Sequence, residues 1–567
     1  MNSQIRNKIL EILAPLGAGR DTEFSVPPQA ALGDLSFPCF ALAKAKAQNP
    51  ATVAKQIAEQ INKQGEPLIA SAKAVGPYVN FFLNSHAVAT LVSTFGENIC
   101  DPAFEDSKEK IMVEFAHPNT HKAFHIGHLR NIITGESLVR LLEHVGHAVV
   151  RANYQGDVGL HIAKCFYGIF STPNYETIIK SLTTATSAEQ AKFLGQAYAS
   201  GSSAYEENDD TKAKVMAINE KIYSGDTAIT ALYKLTRSWS LSYFENNIYK
   251  RLSTHFDRLY FESEVFERGR EIVKNNMANG VFKASDGAVI FEGSKYGLHE
   301  RVFLNSKDLP TYEAKDLALA EKQFNEFHPA RIYHVVGKEQ LEYFKVVFKA
   351  LEFTFPESAG REHHVDYGWV HLKSGKMSSR TGQVILAEEM IAEVKAVVLE
   401  NMSASDVANK DEVAERVAIA AIKYAFLRTS TENDIAFDIK SSVATSGDSG
   451  AYLLYMGARI KSILKKEPGP ASAEQIPAEV MPEEATVLLH LDQFQDTVSA
   501  AAARQDPSLV AHYLYSLAQK FTSFYEACPV LKSAGATKNF RLNLLRQILA
   551  VAERSLYLLG IKTVEEM

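Results

Sequence analysis

Apolar and polar positions alternate at the start of the run Lys110 to Ala116 (K-I-M-V-E-F-A), which predicts a strand. Pro118 and Asn119 break it. From His125 the spacing changes to that of an amphipathic helix, with Ile126, Leu129, Ile132 or Ile133, Leu138, Leu141, Leu142 and Val145 on one side. Gly146 stands where a helix end favours positive φ. His147 to Asn153 reads as a second strand, closed by the glycine-bounded turn Tyr154 to Gly159. Strand, helix and strand at this spacing make a βαβ unit. That implies a parallel sheet whose site lies at the carboxyl ends of its strands.

The same reading extends outward. Residues 1 to about 85 form a small α/β module: a helix from Ile5 to Leu13, a turn over Leu32 to Phe37, two helices after Ala41 and Pro50, and a closing strand Val75 to Leu83. Residues 173–247 are helical and polar and read as an insertion between two halves of a nucleotide-binding fold. Gly287 to Glu292, Arg301 to Leu304 and Ile332 to Val336 predict further strands. A helix begins at Pro310, and its Tyr312 and Asp316 share one face. From Glu412 onward the chain is helical, with a Pro- and Glu-rich excursion at Lys465 to Glu484. The expected fold is α/β: a Rossmann-type parallel-sheet domain over 105–385, a small α/β domain over 1–86, a helical connector over 386–446 and an all-α bundle over 447–567.

Composition narrows the classes. The chain has 567 residues, 46% hydrophobic and 22% charged, with a net charge of -7. That is ordinary globular composition and excludes a basic nucleic-acid-coating protein, so RNA contacts would have to be local. Four well-separated cysteines, Cys39, Cys100, Cys165 and Cys528, argue against a disulfide framework or a zinc ribbon. Neither a signal segment nor a membrane-length apolar run is expected, which favours the cytoplasm.

Three stretches carry candidate chemistry. His125-Ile126-Gly127-His128 opens a helix, where free backbone N–H groups and the positive dipole end suit phosphate, and Gly127 would let a nucleotide lie close. His371 to Gly382 is a basic, glycine-bounded loop that reads as a lid over a triphosphate or as an ordinary charged surface loop. Tyr78, Asn80 and Phe82 alternate on the closing strand. Either they are core, or Tyr78 and Asn80 face unpaired bases.

Together these pieces resemble the class I aminoacyl-tRNA synthetases, and within them the arginyl family. The class signatures are matched by H-I-G-H at 125–128 and K-M-S-S-R at 376–380. The arginine-type details are P-N-x-x-K-x-x-H-I-G-H (118–128), Y-x-G-D-x-G (154–159), P-T-Y-x-x-x-D (310–316) and V-V-x-x-x-Q (335–340). Three segments are similar to the family's DALR-type anticodon-binding domain: D-I-x-F-D (434–438), G-x-S-G-x-Y-x-x-Y-x-x-A-R (447–459) and F-Y-x-x-C-P-V-L (524–531). The amino-terminal module resembles the extra domain such enzymes set against the tRNA elbow.

The resemblance implies a two-step ligase. Arginine is activated with ATP to an adenylate, pyrophosphate leaves, and the arginyl group passes to the terminal ribose of tRNA(Arg). It implies ATP binding at His125, Gly127, His128, Lys376, Met377 and Ser378, with Mg²⁺ and without zinc. It places arginine at Glu114, Asn119, Tyr312, Asp316 and Gln340, and tRNA at Tyr78 and Asn80. A guanidinium is a planar fork that pairs with carboxylates, and Glu114 and Asp316 would come from opposite halves of the site. A monomer is expected, as is activation that depends on bound tRNA. One departure stands out: Ser379 occupies the place of the signature's second lysine, and Lys122 is expected to supply the missing charge. The rivals are another class I synthetase, whose cysteinyl type would want zinc-ligating cysteines, and a non-catalytic tRNA-binding scaffold.

Overall fold

The computed structural model describes residues 3–19, 24–102, 107, 109–373, 385–403, 407–468 and 475–567. Helix α1 (Gln4–Leu13) opens the amino-terminal domain. Strand β1 (Leu35–Pro38) and helix α2 (Pro50–Gln64) follow, then β2 (Ile69–Val75), β3 (Tyr78–Leu83) and helix α3 (Ser85–Ser93). The strands form an antiparallel sheet in the order β1-β3-β2. Asn49 accepts the Ala51 N–H at the start of α2, Pro50 occupies the first turn, and Gly65 at φ 68° ends it. Two sequence expectations change here. Leu32 to Phe37 is partly the strand β1, and the expected closing strand is the second arm of a hairpin turned at Gly76, whose φ is 57°. The first arm, I-A-S-A-K-A-V, is rich in small residues and buries only Ile69 and Ala72, so it carries little strand signal.

The central domain holds β4 (Lys110–Glu114), α4 (Ile126–His144), β5 (Ala148–Gln155), β6 (Arg258–Phe261), the antiparallel trio β7 (Phe282–Ser285), β8 (Ala288–Phe291) and β9 (Arg301–Leu304), then α5 (Tyr312–Phe327), β10 (Arg331–Gly337), α6 (Leu341–Thr354) and β11 (Glu362–Tyr367). Its main sheet is wholly parallel in the order β11-β10-β4-β5-β6. The first strand of the sheet, β4, lies between β5 and β10, so the order reverses beside it. That switch point opens a crevice at the carboxyl ends of the strands. Between β5 and β6 the chain makes five α-helices, Leu160–Ser171, Tyr175–Leu182, Ser187–Glu207, Asp209–Tyr223 and Thr227–Tyr243, and a π-helical turn, Phe244–Tyr249. Asp157 ties this insertion to the sheet: its buried carboxylate accepts from Tyr233 Oη at 3.1 Å and Ser263 N at 2.9 Å, and it forms an ion pair with Arg237, whose Nε lies 2.9 Å away.

Helix α7 (Lys410–Leu427) begins the carboxyl-terminal helical region, which ends with α8 (Gly535–Leu558). Helix α4 is buried on nearly every side because it lies between the sheet and this bundle. It closes the end of α8: Ser137 Oγ donates to Leu558 O at 2.8 Å and Arg140 Nη1 to Tyr557 O at 2.9 Å, while Lys423 of α7 donates to Gly560 O. The amino-terminal domain docks on the same bundle, where Asp492 accepts the Gln4 N–H at 2.9 Å and so caps α1. The D-I-x-F-D segment belongs with the central domain rather than the bundle. Ile435–Phe437 pairs with Val370–Leu372, and Asp434 accepts from Lys338 Nζ at 2.7 Å.

Candidate active site

The turn before α4 is bent tightly. Ala116, His117 and His121 all have positive φ, at 78°, 46° and 63°, a conformation that L side chains adopt at a cost. Asn131, one turn into α4, helps hold it. Its Oδ1 accepts the Ala116 N–H at 2.5 Å, and its Nδ2 donates to Val335 O of β10 at 2.6 Å.

His125 caps α4. Its Nδ1 accepts the Gly127 N–H at 3.1 Å, and the His125 N–H donates to His128 Nδ1 at 3.2 Å. The two imidazoles stack with centroids 3.8 Å apart. Burial lowers both pKa values; Lys122 adds to this at each ring and His125 adds to it at His128, so both rings are neutral. A neutral imidazole that accepts at Nδ1 carries its proton on Nε2. The cap therefore fixes the tautomer and leaves an N–H donor on each ring. Gly127 has a further reason to lack a side chain: a Cβ there would sit 3.0 Å from His125 Cε1. Lys122 is half-buried, with Nζ 5.0 Å from the ring centroid of Tyr198 in the insertion. Lys376, Met377 and Ser378 lie outside the described residues. The flanks of that stretch are anchored: Ile126 N–H donates to Ile385 O at 3.0 Å and Lys373 N–H to Phe437 O at 2.8 Å.

Beside this turn is a cavity of about 390 Å³. Glu114, Asn119, Tyr312, Asp316 and Gln340 all line it. Glu114 ends β4. Asn119 follows in the strained turn, and its Oδ1 would lie 2.1 Å from a Cβ at Gly156, so a side chain there would push Asn119 aside. Tyr312 and Asp316 come from the first turns of α5. Gln340 comes from the short 3₁₀ turn Lys338–Gln340 after β10.

The cavity is strongly acidic but balanced. Glu114 is 2% exposed and accepts from Gln323 Nε2 and, at 3.0 Å, from His334 Nδ1. Burial opposes its ionisation; the His334 imidazolium, aided by His117 and Gln323, outweighs burial and holds the carboxyl below its ordinary value. Asp316 accepts from Tyr343 Oη at 2.6 Å. Burial, reinforced by the nearby Glu114 charge, pushes Asp316 up to about 8, so without a cationic partner it is protonated at neutral pH. Glu262 and Lys315 form a buried ion pair at 2.6 Å on the Tyr312 side. Several buried polar atoms of cavity-lining residues have no partner: His117 Nε2, Tyr154 Oη, Gln323 Oε1 and Glu362 Oε1. Unpaired buried polar groups are costly, and a cavity that collects them is shaped for a polar ligand. Gln323, His334, Tyr343 and Glu362 were absent from the motif-based expectation. A histidine inside an apolar strand, R-I-Y-H-V-V-G, was the available signal for His334.

The expected RNA-facing residues separate. Tyr78 is 36% exposed and meets Phe40 edge-to-face at 5.6 Å. Asn80 is turned inward. It is 4% exposed, accepts from Ser36 Oγ at 2.7 Å and donates to Leu32 O at 2.9 Å. The cause is strand β1: it pairs with β3 so that Ser36 lies directly beside Asn80, and the segment before it brings Leu32 O onto the Asn80 amide.

The parallel sheet with its switch-point cavity and the histidine-bearing helix start define a class I aminoacyl-tRNA synthetase. Residues 96–439 match the family model described as tRNA synthetases class I (R), catalytic domain; residues 2–83 match the arginyl tRNA synthetase N terminal domain, and residues 453–567 the DALR anticodon binding domain. The chain belongs to the arginyl-tRNA synthetase family. It is similar to the arginine–tRNA ligase of Treponema pallidum, 34% identical over 95% of this chain and 94% of that one. It is also similar to that of Bdellovibrio bacteriovorus, 32% identical over 95% and 93%. Among solved structures, the arginyl-tRNA synthetase of Thermus thermophilus shares the fold across both whole chains, with a TM-score of 0.79 at 23% identity.

Proposed function

We propose how this arginine–tRNA ligase divides its work among its residues. The guanidinium of arginine enters the cavity between Glu114 and Asp316, with Tyr312 covering it. Asn119 and Gln340 hold the α-amino and carboxylate groups. One oxygen of the substrate carboxylate attacks the α-phosphorus of ATP, the bond to the β-phosphate breaks, and pyrophosphate leaves. A hydroxyl of the tRNA terminal ribose then attacks the acyl carbon, and AMP leaves.

Both steps depend on positioning and on offsetting charge as it moves to the leaving group. His125 and His128 donate Nε2–H to the phosphates, and Gly127 keeps the approach open. Lys122 and Lys376 supply positive charge, with Met377 and Ser378 closing over the nucleotide. Mg²⁺ arrives with ATP and shares the phosphate charge. For tRNA(Arg), the bundle over 447–567 takes the anticodon and Tyr78 faces the elbow. The enzyme acts as a monomer in the cytoplasm.

The observation that carries this assignment is the convergence of Glu114, at the end of β4, and Asp316, on α5, on one cavity. An acidic pocket whose buried acceptors lack partners rewards a ligand with several fixed N–H donors and penalises lysine, which would leave acceptors unpaired. Amino-acid-dependent ATP–pyrophosphate exchange, with Glu114→Gln and Asp316→Asn as controls, tests it.

A further inference from the structure

We propose that His334 and Glu362 form a buried relay that aims Glu114 at the guanidinium, making His334 a positioning residue for arginine selection. This rests on the cavity being the arginine site.

The register of the sheet creates the relay. Glu114 on β4 pairs laterally with His334 on β10, so their side chains leave the same face. His334 pairs with His364 on β11, and Glu362, two residues earlier, therefore shares that face. His334 Nδ1 lies 3.0 Å from Glu114 Oε1, and Nε2 lies 2.6 Å from Glu362 Oε2. An imidazole between two carboxylates satisfies both only when both nitrogens carry protons. The side chains of all three residues are at most 7% exposed. Phe344 and Phe348 of α6 cover the ring at centroid distances of 5.3 and 5.6 Å.

The surroundings leave His334 as the cation. The titratable groups around it are Glu114 and His117, Asp316 from α5, and Glu362 and His364 from β11, with His363 on the opposite face of that strand; Tyr343 of α6 is engaged with Asp316. His117, His363 and His364 are all held below their ordinary values, chiefly by burial. Burial opposes charge on His334 as well, but Glu362 and Glu114 outweigh it.

The consequence is geometric and electrostatic. Each Glu114 oxygen has one fixed partner, Gln323 or His334, so the carboxylate plane is set and each oxygen keeps a lone pair for the incoming fork. Glu362 holds the imidazolium from behind. Without that cation, a carboxyl this deeply buried would take up a proton and become a poor guanidinium partner.

The test is arginine affinity of the full-length protein between pH 6 and pH 8.5, for wild type, His334→Gln, Glu362→Gln and Glu114→Gln, with the KM for ATP measured alongside. His334→Gln is expected to weaken arginine binding by ~10-fold at neutral pH, and Glu362→Gln by less. In both, the ratio to wild type grows toward acid, because Glu114 then titrates in this range, while the KM for ATP stays within about twofold. A change without pH dependence, or one that moves ATP equally, marks a merely structural role and overturns the relay. Weakened binding in Glu114→Gln beside wild-type affinity in His334→Gln overturns the relay alone. Wild-type affinity in Glu114→Gln overturns the cavity assignment and the relay with it. If His334→Gln does not fold, Glu362→Gln carries the same pH criterion.

Discussion

His125 and His128 stack at 3.8 Å, and each gives its Nδ1 to a backbone N–H at the start of one helix. One arrangement thus caps the helix and fixes both Nε2–H donors. The two roles are separable. His125→Asn replaces Nδ1 with a capping oxygen and removes the distal donor. Single-turnover adenylate formation should fall ~100-fold, with thermal stability close to wild type. His125→Ala should lose the cap as well, at about 1 kcal/mol. A near-normal rate in His125→Asn would contradict a phosphate role for this ring.

Asp316 links arginine binding to pH. Burial raises its carboxyl to about 8, and a guanidinium partner favours the charged form. Arginine binding at pH 7 should therefore release close to one proton, read by calorimetry in buffers of different ionisation enthalpy. Affinity should rise with pH up to about 8 and then level off. The sign for the free protein is opposite. A raised carboxyl contributes stability that is full below its unfolded pKa and is lost as pH rises through the folded value. Binding with no net proton release would rule the coupling out.

Lys122 should matter to chemistry more than to arginine. Lys122→Ala is expected to slow adenylate formation ~100-fold while arginine affinity changes by less than about twofold. The stacking distance of 5.0 Å to Tyr198 implies that the insertion helps hold this lysine. An unchanged single-turnover rate would remove it from the phosphate site.

Tyr78 and Asn80 should behave differently although they lie two residues apart. Tyr78→Ala should raise the KM for tRNA with little effect on melting temperature. Asn80→Ala leaves Ser36 Oγ and Leu32 O without their partners and should destabilise the protein by about 1–3 kcal/mol. If Asn80→Ala were fully stable and impaired only toward tRNA, the inward packing would not be its main role.

What could be read without the structure followed the strength of local pattern. Strand β4 and helix α4 were plain because alternation and helical spacing meet at Pro118 and Asn119. Strand β11, E-H-H-V-D-Y, escaped because an edge strand buries only Val365 fully and shows no alternation. Strand β7, F-K-A-S, buries only Phe282 and has no apolar run to mark it. The motifs led to Glu114, Asn119, Tyr312, Asp316 and Gln340, which meet in one cavity. They could not lead to Gln323, His334 or Glu362, whose places depend on the register of β4, β10 and β11 and on how α5 packs across them. The inward turn of Asn80 was hidden for the same reason, since its partners Ser36 and Leu32 are set by the pairing of β1 with β3.

The most direct test of the central claim is ATP–pyrophosphate exchange with each amino acid in turn, with and without tRNA(Arg). Exchange is expected with arginine alone, dependent on tRNA, and should be lost in Glu114→Gln and Asp316→Asn. Exchange with a different amino acid, or arginine exchange untouched by both substitutions, would contradict it.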